Sequence, residues 1–299
     1  MQIVDRTLQL FRTVCSTACV LRIFYIATVL LVVAGCSTRF LYNQLDSFIV
    51  WKVDDYVPLT SPQKAELKLQ VSDQLEASRQ DDLPRLAALL DEFAEEVESG
   101  AVTQASLDEG FVQMIALIDE FMLGIVPVAE WLLLDLSEEQ VAEMFENFEE
   151  LNQEMYEDYS GETAEERREN RNASAIKAAQ RFTGRLTGEQ KQLITDSLAS
   201  MEDASEQWIE YQREWQRRFR DLVENPPPSA EFRQELTQLL VYPRSFHSAE
   251  YRAIVDSNRQ IANVMMAELI TGLSDRQRAR AVDKLRGYSD LLKKLTASA

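Results

Sequence analysis

Apolar residues in this chain recur every three or four positions, and nowhere do they alternate cleanly at every second one. Val141, Met144, Phe145, Phe148, Leu151, Met155 and Tyr159 form one stripe. Ile194, Leu198, Met201, Trp208, Trp215 and Leu222 form another, and Ala281, Leu285, Tyr288, Leu292 and Leu295 a third. This spacing lines one face of an α-helix, whereas a half-buried strand needs period two. Helix breakers are scarce, with 9 Gly and 8 Pro in 299 residues, and three prolines sit together at Pro226-Pro227-Pro228. Ala, Leu, Glu, Gln and Arg, which lose least on entering a helix, fill much of the rest. The fold class is therefore all-α, and the stripes read as core rather than as cofactor boxes.

The spacing predicts helices over 40–55, 61–79, 82–99, 103–134 (disturbed at Pro127), 138–159, 163–185, 188–224, 229–240, 247–271 and 275–296. Breaks fall at Ser99-Gly100, Ser160-Gly161-Glu162, the proline triplet and Tyr242-Pro243. Short connections make sequential helices antiparallel neighbours, which gives an elongated bundle of about nine or ten helices. Its longest member, 188–224, would span roughly 55 Å and set the length.

The N-terminus carries a different signal. Ile23 to Thr38 is uncharged, with Arg22 before it and Arg39 after it. That stretch is shorter than the roughly 20 residues a bilayer core demands. Arg6, Arg12 and Arg22, then an apolar run, then Ala34-Gly35, is the layout of an export signal. A start at Val20 or Leu21 would give a compact one. Val33-Ala34-Gly35-Cys36 resembles the lipobox of bacterial lipoproteins, with Val where Leu is commoner. The resemblance implies cleavage after Gly35 and acylation of the Cys36 thiol and of the freed amine. Ser37 in place of Asp implies, on the same resemblance, export to the outer membrane. Several acyl chains hold a protein firmly, where one holds it only marginally. Cleavage also removes Cys15 and Cys19, so no free thiol or disulfide remains, and the net charge moves from −19 to −21.

Ser37, Thr38 and Arg39 are a short tether before the aromatic-rich segment of Phe40, Tyr42, Phe48, Trp51 and Tyr56. These rings are expected to fill the core as the first helix. The alternative is that some of them, Phe40 and Tyr42 first, sit at the bilayer interface.

A five-residue pattern, Leu-[Ser/Thr]-x-x-Gln, marks four helix starts. It appears at Leu59-Thr60 to Gln63, Leu136-Ser137 to Gln140, Leu186-Thr187 to Gln190 and Leu273-Ser274 to Gln277. The hydroxyl caps free backbone N–H groups and the Gln reaches back to the N–H of the cap residue. The reading is structural capping, although the pattern is also similar to Leu-Thr-x-x-Gln motifs of small periplasmic chaperones.

Charge is segregated. From Leu86 to Glu166 there is no Lys or Arg, against 23 Asp and Glu. Such a run is either a face for a cationic partner or, as favoured here, a solvated surface partly neutralised by Arg167, Arg168 and Arg171. Nothing resembles a calcium loop, and carboxylates such as Glu146, Glu149 and Glu150 lie along one helix without converging. With no basic stripe to meet phosphates, nucleic acid is disfavoured. One histidine, His247, forbids a histidine-pair metal site, and no phosphate loop or Gly-x-Ser-x-Gly appears. No catalytic residue, metal or cofactor is expected, and the chain reads as a non-enzyme.

Residues Cys36 to Asp46, then Trp51, Asp54-Asp55-Tyr56-Val57 and Gln74 to Leu90, resemble a family of uncharacterised proteobacterial outer-membrane lipoproteins, known as a domain of unknown function. The resemblance runs along the mature chain and is most specific over 36–57. It implies a helical lipoprotein facing the periplasm and carries no catalytic residues. The expected organisation is a signal peptide at 1–35, a lipidated tether at 36–39 and a helical domain at 40–299 with a sub-boundary near 160–163. The expected role is a protein-binding or chaperone-like envelope factor; the alternative is a structural or assembly component without a ligand groove.

Overall fold

The computed structural model describes Tyr42, residues 44–161 and residues 163–297. The predicted signal peptide, its recognition residues Val33, Ala34 and Gly35, the lipidation residue Cys36, the tether and Phe40 lie outside the described residues, as do the side chains of Met155 and Tyr159. Among the described residues the chain forms ten α-helices, one 3₁₀ turn and no strand. They are α1 (Leu45–Asp54), α2 (Ser61–Ser99), α3 (Gln104–Asp135), α4 (Glu138–Gly161) and α5 (Ala164–Thr183). There follow α6 (Gly188–Ala199), α7 (Ser205–Glu224), α8 (Ser229–Leu240), the 3₁₀ turn Pro243–Phe246, α9 (Ala249–Thr271) and α10 (Asp275–Thr296).

The chain ends of the fold meet along α2 and α10. Arg278 Nη1 donates to the Val97 carbonyl at 2.5 Å, and Ser289 Oγ to the Ala87 carbonyl at 3.1 Å, so the two helices run antiparallel. Ala94, Val97, Ala281, Val282 and Leu285 fill the seam. A larger core gathers α1, α2, α3, α4, α7 and α8 around Val71, Leu132, Phe145, Phe219, Phe232 and Leu236. Smaller clusters join α5, α6 and α9 through Leu186, Ile194, Leu198 and Leu269, and α7 with α9 through Trp208, Tyr251 and Ile254. Gly100, at φ 72°, ends α2 in the left-handed conformation, and Ala101 N–H closes the turn on the Glu96 carbonyl.

Two boundaries depart from the sequence expectation. The predicted helices 61–79 and 82–99 are one helix, α2, running through Pro84. Proline removes one backbone bond inside a helix, and here burial of Ser78, Ala87 and Ala94 on either side holds the helix continuous. At 39 residues α2, about 58 Å long, is the longest element. The predicted 188–224 helix is broken instead at 200–204. Asp203 Oδ1 accepts from Ser205 N–H at 3.0 Å, a local turn that competes with helix. Buried Asn258 of α9 then takes the place of a backbone partner: its side chain accepts from Glu202 N–H and donates to Glu202 C=O.

The aromatic segment divides. Tyr42 is buried, its hydroxyl donating to the Leu75 carbonyl at 2.9 Å, and Tyr56 packs on the main core. Phe48 and Trp51, expected inside, are 56% and 55% exposed.

Candidate functional site

The four Leu-[Ser/Thr]-x-x-Gln segments meet in pairs. In each, the Ser or Thr oxygen accepts the Gln backbone N–H, and the Gln side-chain oxygen accepts the N–H of the cap residue. The Gln amide nitrogens then do something that capping alone does not require. Gln63 and Gln140 exchange side-chain hydrogen bonds at 3.3 and 2.8 Å. Gln190 and Gln277 do the same at 3.1 and 2.9 Å. Each amide also donates to a carbonyl two residues ahead of its partner's cap: Gln63 to Asp135, Gln140 to Pro58, Gln190 to Gly272 and Gln277 to Arg185. All four glutamines are buried. The motifs are two amide clamps that lock α2 to α4 and α6 to α10.

The acidic stretch is met largely from afar. Asp91 pairs with Lys293, Glu98 with Arg286, Asp108 with Arg259, Asp119 with Arg244, Glu120 with Arg85, and buried Glu130 with Arg233. Of the basic group at the start of α5, Arg168 pairs with Glu165 at the end of the acidic stretch, while Arg171 donates to the Leu198 carbonyl of α6. These pairs also bear on α3, which is long and apolar enough to cross a membrane by length and composition, with mean hydropathy 1.8 and only 6% of that stretch buried. Its carboxylates Asp108, Asp119 and Glu130 are tied to α9, to the 3₁₀ turn and to α8, which fixes α3 as a member of the bundle.

His247 packs against both the Tyr211 and Tyr251 rings, at 4.6 and 4.5 Å, and these are themselves 5.9 Å apart. Burial, reinforced by Arg244 and Arg252, pushes its pKa down to about 4, so near neutral pH it is an uncharged core side chain. Among the described residues no group of three or more His, Cys, Asp or Glu could hold a metal ion.

Between α4 and α7 the surface opens into a cleft of about 450 Å³. Its floor is Phe145 and Phe148, edge-to-face at 6.0 Å over Phe219, which stacks on Trp215. A reciprocal amide pair, Asn152 with Gln216, bridges the two walls at 2.7 and 3.0 Å. Arg213, Arg217 and Arg220 line one wall, while Glu149 and exposed Tyr156 belong to the other. Arg220 lies 4.3 Å over the Phe145 ring. Arg217 is held by Glu214, whose carboxyl Arg217 and Arg218 bring down to about 2. Arg213 has no ion partner among the described residues. An apolar floor beside guanidinium groups suits a segment that brings an aromatic or aliphatic side chain together with a carboxylate. The periodicity of 138–159 located the floor; nothing local in the sequence places α7 opposite it.

Residues 55–252 match the DUF6279 family, a family of unknown function. The chain belongs to that family. No curated protein and no solved structure matches it. The family span contains the cleft and the whole first clamp, but only the Thr187–Gln190 side of the second. It begins at the end of the 36–57 segment on which the resemblance was expected to be most specific.

Proposed function

We propose that this is a non-enzymatic lipoprotein, held through Cys36 on the periplasmic face of the outer membrane, which binds a polypeptide segment in the α4–α7 cleft. The cleft carries this reading, because it offers an apolar floor, a cation without an ion partner and flanking amides within one concavity. Such a site grips a side chain and a carboxylate together. The Leu-[Ser/Thr]-x-x-Gln segments, buried in the clamps, support the scaffold rather than the contact with a client.

Two measurements test this. The lipidated chain in detergent should bind labelled peptides that combine Phe or Tyr with Asp or Glu, by fluorescence anisotropy, and bind lysine-substituted versions at least ten-fold more weakly. Arg213→Glu should weaken acidic peptides ten-fold or more without changing the melting temperature. Indifference to peptide charge would favour a structural or assembly role without a ligand groove. For the anchor, wild type should incorporate palmitate and Cys36→Ala should not; equal labelling would remove Cys36 from the account.

A further inference from the structure

The outer face of α1 presents a side-by-side aromatic pair that no apolar side chain among the described residues covers. Phe48 and Trp51, one turn apart, are 56% and 55% exposed, with ring centroids 5.7 Å apart. Trp51 is the one exposed tryptophan of the four; Trp208 is buried, and Trp131 and Trp215 pack against the main core. The indole N–H of Trp215 finds the Leu239 carbonyl, whereas that of Trp51 has no hydrogen-bond partner among the described residues. The opposite face of α1 is firmly seated: Val50 is buried, Ile49 and Val53 pack on the core, and Tyr42 is bonded to α2. The pair is thus rigidly displayed by a fixed helix.

The position in the chain says what could cover it. Cys36 precedes Tyr42 by six residues, a reach of at most about 20 Å, and Trp51 follows within three helical turns. A chain acylated at Cys36 would therefore never carry this pair far from lipid. We propose that Phe48 and Trp51 dock α1 onto the phospholipid interface and so set the orientation of the bundle on the membrane, an inference that rests on Cys36 being the anchor. Tryptophan suits that depth, with an apolar body and a polar N–H for the headgroup region. Lys52 lies 5.7 Å from the Trp51 ring, but it is paired with Asp55, as Lys64 is with Asp54 and Lys68 with Asp46. With those cations neutralised, docking depends on the rings and responds little to salt or to the anionic lipid fraction.

The test uses the full lipidated chain in phosphatidylethanolamine–phosphatidylglycerol vesicles whose acyl chains are brominated near the headgroup. The wild-type minus Trp51→Phe difference emission should be blue-shifted and quenched at least two-fold relative to unbrominated vesicles. It should not change as phosphatidylglycerol is raised. Phe48→Ser should restore most of the lost emission while palmitate labelling persists. A palmitate-labelled chain whose difference emission ignores bromine overturns this inference alone, and a shift that instead follows protein concentration in detergent assigns the pair to a second copy. A chain that takes up no palmitate overturns the anchor, and the inference with it.

Discussion

The two amide clamps share one wiring diagram but sit in different surroundings. In both, paired glutamines 77 and 87 residues apart exchange side-chain hydrogen bonds and each reaches the carbonyl two residues before its partner's cap. The first adds a carboxylate, since Gln63 Nε2 also donates to Asp135 Oδ2 at 3.1 Å. The second adds a cation, since Arg278, next to Gln277, donates to the Val97 and Ile270 carbonyls. Two other capping boxes show why glutamine is used. Thr163 pairs with Glu166 and Thr103 with Ser106, both exposed and neither joined to another motif. Glu or Ser serves as well for a cap in water. The Gln amide accepts the cap N–H through its oxygen and keeps two N–H donors, on a side chain long enough to reach a second helix.

That difference sets the largest expected effect. Gln63→Glu keeps the acceptor, loses both donors and places a buried carboxylate beside Asp135. We expect a loss of about 3–5 kcal/mol by urea unfolding, the range for a buried charge left without compensation. Gln277→Glu loses the same donors but is hydrogen-bonded to no carboxylate, so it should cost less. Equal losses would mean that Asp135 plays no part and that the clamps are interchangeable.

The clamps also show how far sequence reaches. The hydroxyl and the glutamine of each cap were legible because capping is local, four residues long and chemically explicit. The pairing was not, because the partner motif lies 77 or 87 residues away and any well-capped helix shows the same letters. The same limit explains the helix boundaries. Pro84 looks like a helix start, and only burial of residues around it makes α2 continuous. The break after Ala199 depends on Asn258, which comes 56 residues after Glu202. Of the cleft, the Phe145–Phe148 floor was readable as a stripe, while its cationic wall is on α7, which folds opposite for non-local reasons.

Acid should separate the α7–α9 contact from the α1–α2 end of the bundle. His247 packs at the former, and its pKa of about 4 is below the ordinary 6.5. Between those values the unfolded chain binds a proton that the folded chain refuses. The contribution of His247 is therefore complete above about pH 6.5 and lost as pH falls toward 4, on the order of 3 kcal/mol. At α1 and α2, Lys64 holds Asp54 and Arg85 holds Glu120 below the usual carboxylate range, so their contributions fade only at lower pH. Protection of amides in α7 and α9, measured against the intrinsic exchange rate at each pH, should fall between pH 6.5 and 4 while α1 and the start of α2 stay protected. His247→Phe, which keeps a ring against Tyr211 and Tyr251, should flatten the dependence. A uniform loss of protection across α1, α2, α7 and α9 would mean that these regions do not respond separately.

The smallest effects come from the caps themselves. Ser137→Ala removes one acceptor from a box whose Gln140 is also a clamp residue. Thr163→Ala removes the same acceptor from an exposed box that holds nothing else. Loss of a cap hydroxyl costs about 0.5–2 kcal/mol. Water can replace the Thr163 oxygen, so that variant should fall at the bottom of the range. Ser137 also fixes the position of Gln140, whose amide bonds to Pro58 and Gln63, so its loss should be about 1 kcal/mol larger than that of Thr163. A double variant with Gln140→Ala measures the coupling directly. If the Ser137 and Gln140 losses add, the cap and the clamp are independent devices sharing five residues. If they fall well short of additive, as expected, the hydroxyl acts mainly by aiming the amide.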